Sequence, residues 1–359
     1  MLLNAVSRLL HSWQNRMGCL ALPVLVLAVV SPSFGLAPKV VAVEPNQQEH
    51  ATGRKEHSSD SASVKEKLEL ADFHLFNGNP RAAIKAYSEA LALDPNLLEV
   101  RLTVAELYTR IGNTPAAIEQ YREALKIQPD QKGINLLLGQ LLSAQDDLDG
   151  AIECFTKESE LTNKSVPAES NLAFALLARD KNDLAAERFR QLIAQEPNNA
   201  DFHLGLAMAL SKLKQSDNAL QEIDTALKIK PNSAEAHNLR GDIFYLTGQK
   251  EKAIDEYKQA IAQDNASAQA YLSLGNLYLK EGKFQESKDV FIQAAKAAPF
   301  NKDVHYGLAF SLEELGDIPS ALAVYQRALQ QETDAEKTAQ IKEHMAELQS
   351  KTVQKQSKP

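Results

Sequence analysis

Histidine side chains are the first candidates for chemistry in this chain. His203, His237 and His305 are separated by multiples of 34 residues, and Tyr271 fills the intervening slot. Imidazoles ligate a metal or transfer a proton only where they converge on one point. Side chains that recur at a fixed long spacing belong to successive structural units and lie too far apart to share an ion. We therefore interpret them as packing residues and predict no metal site.

Cys154 also lacks a chemical partner in the sequence. It lies beside Phe155, and no histidine stands in a matching register. A thiol becomes reactive only where a nearby cation stabilises the thiolate, so we predict a buried, inert cysteine. The sequence has no phosphate-binding glycine loop, no nucleophile elbow and no cysteine pair at zinc spacing. We predict a protein that is not an enzyme and that needs no cofactor.

A 34-residue pattern positions all of these residues. Each copy has small residues at repeat positions 8 and 20 and a large apolar residue at position 24, as in Ala105, Ala117 and Tyr121. Apolar residues at helical spacing predict two amphipathic helices per copy, and helices this short require packing against neighbours. The eight copies span residues 64–97, 98–131, 132–165, 166–199, 200–233, 234–267, 268–301 and 302–335.

This pattern resembles the tetratricopeptide repeat family over residues 64–335. The resemblance implies an all-α fold, an α-solenoid in which helix-turn-helix units form a right-handed superhelix. Glycine occupies the turn position, position 15, in five copies, and Asp146, Asp180 and Lys214 replace it in the other three. The junction between Asn163 and Pro167 also departs from the pattern. It is where we expect any small change of superhelix pitch; the alternative is ordinary sequence drift within a degenerate repeat.

The resemblance also implies a binding face. In the family, positions 2, 5, 9, 12 and 13 of each first helix line an inner groove, and here many of them are apolar. Such a stripe predicts docking of a hydrophobic or helical peptide segment; the alternative is that these side chains pack against the neighbouring helix. The predicted groove residues are Leu136, Phe174, Leu177, Leu204, Met208, Tyr245, Leu272, Leu279, Tyr306 and Phe310.

Acidic residues border the predicted groove and indicate a partner with basic flanks. The net charge of −8 argues against nucleic acid or anionic lipid as the main partner. The acidic residues at groove positions are Glu99, Glu106, Asp201, Asp242, Glu313 and Glu314.

Residues 1–37 have the composition of a targeting segment. Arg8 and Arg16 precede an apolar run at residues 19–30, which predicts a cleaved secretory signal peptide. If it is not cleaved, the uncharged residues 17–38 would be a signal anchor and the only membrane contact. An organelle transit peptide is the third interpretation. Residues 38–63 are polar and predict a flexible linker.

The C-terminal residues predict a cap for the array. Residues 336–350 keep helical spacing with Ile341, Met345 and Leu348, as a capping helix requires. Residues 351–359 form a short basic tail.

These features predict an exported, non-catalytic interaction scaffold of the cell envelope, in the bacterial periplasm or an equivalent lumen. Its mechanism would be docking of a protein segment in the groove, to assemble or hold a complex. One alternative is a membrane-anchored component of an assembly or secretion machine. Another is a regulatory partner of an envelope enzyme.

Overall fold

The computed structural model describes residues 56–356, and within that range the regular structure is entirely helical. The prediction of an all-α solenoid is confirmed. The helices, in chain order, are α1 (Glu56–Phe76), α2 (Pro80–Leu93), α3 (Leu98–Arg110), α4 (Thr114–Ile127), α5 (Ile134–Ala144), α6 (Leu148–Leu161), α7 (Val166–Ala178), α8 (Asn182–Gln195), α9 (Ala200–Lys212), α10 (Ser216–Ile229), α11 (Ala234–Leu246), α12 (Lys250–Gln263), α13 (Ala268–Lys280), α14 (Phe284–Ala297), α15 (Lys302–Glu314), α16 (Ile318–Leu329) and α17 (Ala335–Gln356).

Consecutive helices pair into hairpins, one for each 34-residue copy, from α1 with α2 to α15 with α16. Local sequence sets where the second helix begins. Asn113, Asp147 and Asp317 occupy repeat position 16, and each side chain accepts a hydrogen bond from a backbone N–H of the helix that follows. A side-chain acceptor satisfies an otherwise unpaired N–H of the first turn, so these residues act as N-caps.

The turn inside each hairpin requires a left-handed residue at position 15. Gly248 has φ +78°, and Asp146, Asp180 and Lys214 adopt nearly the same conformation with φ of 63°, 58° and 61°. Glycine reaches this region without a steric cost, whereas a side chain with a Cβ does not. The three substituted turns therefore keep the hairpin geometry at the expense of backbone strain.

The described chain forms two compact units, residues 56–188 and residues 189–356. In the first unit the core begins with Ala71 and Ala83, both fully buried between α1 and α2, together with Tyr87 and Leu107. Between α6 and α7 the chain passes through two successive left-handed residues, Asn163 with φ 52° and Lys164 with φ 61°. The irregular junction expected from the sequence is thus a real break in backbone conformation; a change of pitch there stays a prediction.

Small residues in the second unit make room for aromatic rings. Phe291 of α14 is fully buried. A Cβ added at Gly275 of α13 would lie 2.6 Å from this ring, and one added at Gly307 of α15 would lie 2.2 Å from it. Both distances are shorter than carbon atoms tolerate, so the two glycines let helices from two successive hairpins close on one ring.

The last helix covers the end of the second unit. Met345 and Leu348 of α17 are buried against a cluster that includes Tyr325 and Ala328. The predicted cap is confirmed, and the helix continues to Gln356, beyond the predicted boundary at residue 350. None of the helices described in residues 56–356 is long and apolar enough to cross a bilayer. The predicted signal or anchor and residues 38–55 of the predicted linker lie outside the described residues. Residues 56–63, also predicted as linker, are helical and belong to α1.

Candidate peptide-binding groove

First helices form the inner layer of the second unit. Neighbouring first helices touch in succession, α9 with α11, α11 with α13 and α13 with α15, whereas the second helices approach one another less closely. Because the first helices lie closer together than the second helices, the row curves and the first helices line its concave face. This is the face to which the resemblance assigns ligand contact.

The predicted groove residues of the second unit fall into two classes. Met208, Tyr245 and Phe310 are partly accessible, on α9, α11 and α15. The other four, Leu204, Leu272, Leu279 and Tyr306, are 7–8% exposed. Leu272 and Leu279 belong to the core cluster around Phe291, and Tyr306 belongs to the cluster that α17 covers.

In the first unit, Leu136 of α5 and Phe174 of α7 are also partly accessible. Leu177 of α7 is fully buried. The buried residues of both units therefore pack against neighbouring helices, which is the alternative to ligand contact given above. Ligand contact through the five accessible residues stays a prediction.

Tyr245 has the most distinctive surroundings of the accessible residues. The Nζ atom of Lys280 lies 4.8 Å from the centroid of its ring, within range of a cation–π contact. Leu246 beside it is 66% exposed. Leu246 occupies groove position 13, but sequence reasoning did not single it out. The copies on either side have Lys212 and Lys280 at this position. An apolar residue between two lysines was the feature of the sequence that could have identified Leu246 as a groove residue.

Asp242, at groove position 9 of α11, is partly accessible and takes part in a hydrogen-bond network. The hydroxyl of Tyr257 donates to its Oδ1 at 2.7 Å, and Nδ2 of Asn238 donates to its Oδ2 at 3.3 Å. Burial raises the pKa of the Asp242 carboxyl to about 6, although hydrogen bonds from Tyr257 and Ser273 act in the opposite direction. Burial disfavours the charged form of a carboxyl, so this group is half protonated near pH 6 and mostly ionised at neutral pH.

Not every acidic residue predicted at the groove border is available to a ligand in the structure. The carboxylate of Glu313 on α15 already has intramolecular partners, because its Oε2 accepts hydrogen bonds from Tyr325 at 2.9 Å and from His344 at 2.8 Å. Asp201 and Glu314 remain exposed. Glu235, at groove position 2 of α11, is exposed as a residue. Partial desolvation of its carboxyl and the nearby carboxylates of Asp201 and Asp264 raise its pKa, against the opposing charge of Lys230. Glu99 and Glu106 are exposed in the first unit.

The recurring histidines make hydrogen bonds inside their own hairpins. Nδ1 of His203 lies 2.7 Å from Glu222, and Nδ1 of His237 lies 2.8 Å from Glu256. Nδ1 of His305 donates to the carbonyl of Asn301 at 2.9 Å. Residues 56–356 contain no cluster of three side chains that could hold a metal ion. His203 and His237 thus connect paired helices, and His305 bonds the start of its own helix, so the three rings serve separate local contacts.

Cys154 is buried on α6. Burial raises the pKa of its thiol to about 11, and the negative charge of Glu153 contributes in the same direction. The thiolate is therefore scarce at neutral pH, and the environment favours an inert side chain.

Family models for tetratricopeptide repeats match most of the described chain. Models described as "Tetratricopeptide repeat" match residues 68–132, 102–158 and 272–336 and, separately, residues 176–243. A model described as "TPR repeat" matches residues 241–282. A search of the curated proteins found no match.

Two solved structures resemble the chain in fold. A tetratricopeptide repeat protein from Parabacteroides merdae has a TM-score of 0.58 and 14% identity, over 70% of this chain and 99% of that one. A chain from the APC/C hetero-tetramer Cut9–Hcn1 has a TM-score of 0.52 and 15% identity, over 79% of this chain and 58% of that one. At these identities the likeness concerns the fold.

Proposed function

The chain belongs to the tetratricopeptide repeat family, and from this premise we propose that it is a non-catalytic scaffold that docks a protein segment on the inner face of residues 189–356. Repeats of this family generally bind protein partners. The observation that carries the proposal is a set of accessible apolar side chains on the first helices, namely Met208, Tyr245 and Phe310. The buried leucines at other groove positions of this unit are Leu204, Leu272 and Leu279. Accessible apolar side chains on a concave surface favour the apolar stripe of an extended or helical segment.

The charges around this surface support a partner segment with basic flanks. Asp201 and Glu314 are exposed at groove positions, and Glu235 lies in the same row as Asp201. A Lys or Arg side chain of the ligand beside these carboxylates would gain charge-assisted hydrogen bonds. It would also relieve the carboxylate repulsion that raises the pKa of Glu235. Complementary charges of this kind determine which partner is selected and how fast it associates.

The proposal is tested with defined peptides. One labelled peptide is an amphipathic helix with a leucine stripe and lysine flanks; its partner has the same stripe with glutamate flanks, and a third has the stripe scrambled. We expect saturable binding of the lysine-flanked peptide, weaker binding at higher salt because the charges are screened, and little binding of the other two. Equal binding of all three, or none of any, would refute the proposal.

A triple variant tests whether the peptide binds at the accessible groove residues. The combined substitutions Met208→Ser, Tyr245→Ser and Phe310→Ser should lower the affinity for the lysine-flanked peptide by about tenfold or more. Central aromatic and large apolar residues usually carry most of the binding energy. Ile292→Ser is the matched control, because Ile292 is an exposed apolar residue on the second helix α14. Helicity by circular dichroism distinguishes lost binding from lost folding. Unchanged affinity in a folded triple variant would refute this assignment of the groove.

For the location of the protein, we propose export to the cell envelope, with cleavage of residues 1–37. Support comes from the two arginines followed by an apolar run and small residues in that segment. The intact mass of the protein purified from its own cells measures whether the segment is present. A retained segment would favour the membrane-anchored scaffold instead.

A further inference from the structure

The first helix of the array leaves its packing face uncovered. Leu70, Phe73 and Phe76 of α1 are 42%, 62% and 91% exposed. Leu70 and Phe73 occupy repeat positions 7 and 10. In the next copy these positions are Val104 and Leu107, which are 1% and 2% exposed. Leu70 and Phe73 are therefore exposed where the next copy buries the equivalent side chains, whereas Phe76 occupies position 13, one of the positions that the family resemblance assigns to the groove.

The sequence before α1 offers no suitable cover. The second helices of this array carry small residues at positions 20 and 27 and a large apolar residue at position 24. Residues 38–55 instead contain Pro38, Pro45 and a group of neighbouring valines, without that pattern. Proline removes a backbone donor and interrupts a helix, so this stretch does not resemble a covering helix. A second chain fits this face better than residues 38–55 do.

We propose that the occupant is a second copy of this chain, bound through an antiparallel contact between the two α1 helices. A two-fold axis midway between Leu70 and Phe73 sets Leu70 of one copy against Phe73 of the other. The same axis sets Glu69 against His74 and Glu66 against Asn77, so no like charges face each other. An isologous contact needs only one self-complementary patch, and α1 supplies it.

The size of the patch sets the expected strength. A phenylalanine buries roughly 150–250 Å² when it is covered. With the exposures of Leu70, Phe73 and Phe76, two copies would bury on the order of 800 Å² through these side chains alone, and flanking residues would add to this. That is less than the roughly 1,200 Å² of the smallest stable interfaces, so flanking residues must contribute, and we expect a weak, reversible dimer whose population depends on concentration.

This surface is separate from the proposed groove, so the two proposals fail independently. Sedimentation velocity of the purified full chain over a hundredfold range of concentration should show a monomer–dimer equilibrium. Phe73→Glu with Phe76→Glu should raise the dimer dissociation constant by about tenfold or more, because it places charges in an apolar contact. Phe300→Glu is the matched control, since Phe300 is 85% exposed in a loop of the other unit. A monomer at every concentration, or an unchanged dimer in the double variant, would overturn the proposal.

Cysteine pairing tests the register directly. In a Cys19→Ser background, a mixture of Leu70→Cys chains and Phe73→Cys chains should form a disulfide-linked heterodimer faster than either variant alone. Cys154 is buried and does not compete. If the double glutamate variant loses helicity, Leu70→Lys replaces it. Dimers that do not cross-link through residues 70 and 73 would rule out the antiparallel α1 contact, even if the chain self-associates elsewhere.

Discussion

The Nδ1 atom of His237 lies 2.8 Å from Oε2 of Glu256, and this pair joins the two helices of one hairpin. The residues stand at repeat positions 4 and 23. The same two positions are joined in another copy of the second unit by His203 and Glu222 at 2.7 Å. In the first unit they are joined by Glu169 and Arg188 at 3.1 Å. A polar crosslink at fixed repeat positions thus accompanies the apolar packing of these hairpins.

Glu256→Ala should destabilise the second unit by about 1–3 kcal/mol, the usual cost of leaving buried polar partners unsatisfied. Glu256 accepts from His237 and also pairs with Arg240, whose Nη2 lies 2.9 Å from Oε1. Urea denaturation followed by circular dichroism measures the loss. Glu251→Ala, at an exposed position of the same helix, should change stability by less than about 0.5 kcal/mol. Equal effects of the two substitutions would contradict this role for Glu256.

Asp242→Asn should change how stability depends on pH. The pKa of Asp242 is raised from 3.8 to about 6 in the folded protein. Protonation therefore favours the folded state; that stabilisation is complete below about pH 4 and is lost as the pH rises through about 6. Asparagine has no such dependence, and its amide can replace the protonated carboxyl if Asn238 turns over and presents its unpaired Oδ1.

The urea midpoint measured from pH 4 to pH 8 tests this expectation. The variant should gain about 2 kcal/mol relative to the natural protein between the two ends of the range. Asp255→Asn, at an exposed position on α12, controls for the general loss of one negative charge. A difference that stays constant with pH, or one that grows towards acid, would contradict the raised pKa.

Gly275→Ala should destabilise the second unit by about 1–3 kcal/mol, although alanine normally favours a helix over glycine. The added methyl would lie 2.6 Å from the ring of Phe291, which is fully buried and cannot move away freely. Thermal unfolding measures the loss. Phe291→Leu in the same chain should recover part of it, because the smaller side chain makes room. Additive losses in the double variant would indicate that the two residues do not compete for space.

Lys214→Gly should stabilise the hairpin of α9 and α10 by about 0.5–1 kcal/mol. Lys214 has φ 61°, where the Cβ atom costs roughly 1–2 kcal/mol, and the greater freedom of glycine in the unfolded chain offsets part of that gain. The reverse change, Gly248→Lys, should destabilise the next hairpin, since Gly248 has φ +78°. Chemical denaturation of both variants provides the comparison. A loss of stability in Lys214→Gly would show that the lysine side chain makes a compensating contact.

The repeat pattern was sufficient to predict the hairpins and the cap. Position 20 is Ala83 in the first copy and Ala219 in the fifth, and both are fully buried, because close helix approach excludes larger side chains at that point. The left-handed turns at Asp146 and Lys214 also follow from their alignment with the glycines of other copies. Local periodicity determines these features, since each unit contacts only its neighbours.

The polar pairs and the accessible part of the groove could not be predicted in the same way. His237 was recognised as structural, but its partner Glu256 lies 19 residues away on another helix, and periodicity does not reveal which side chains meet. Asp242 was predicted at the groove border and is partly accessible there, but its Oδ1 accepts a hydrogen bond from the hydroxyl of Tyr257 on the second helix of the hairpin, a partner that periodicity does not reveal.

The sequence by itself determined the number of hairpins and their small and large packing positions; the side of each first helix that faces a ligand is what the family resemblance implies. Only the tertiary structure decided which residues on that side stay accessible. Leu279 and Tyr245 share repeat position 12, yet Leu279 is buried and Tyr245 remains partly exposed. The physical reason is that side-chain exposure depends on the volume of the groups packed across from a position, and those groups belong to other helices.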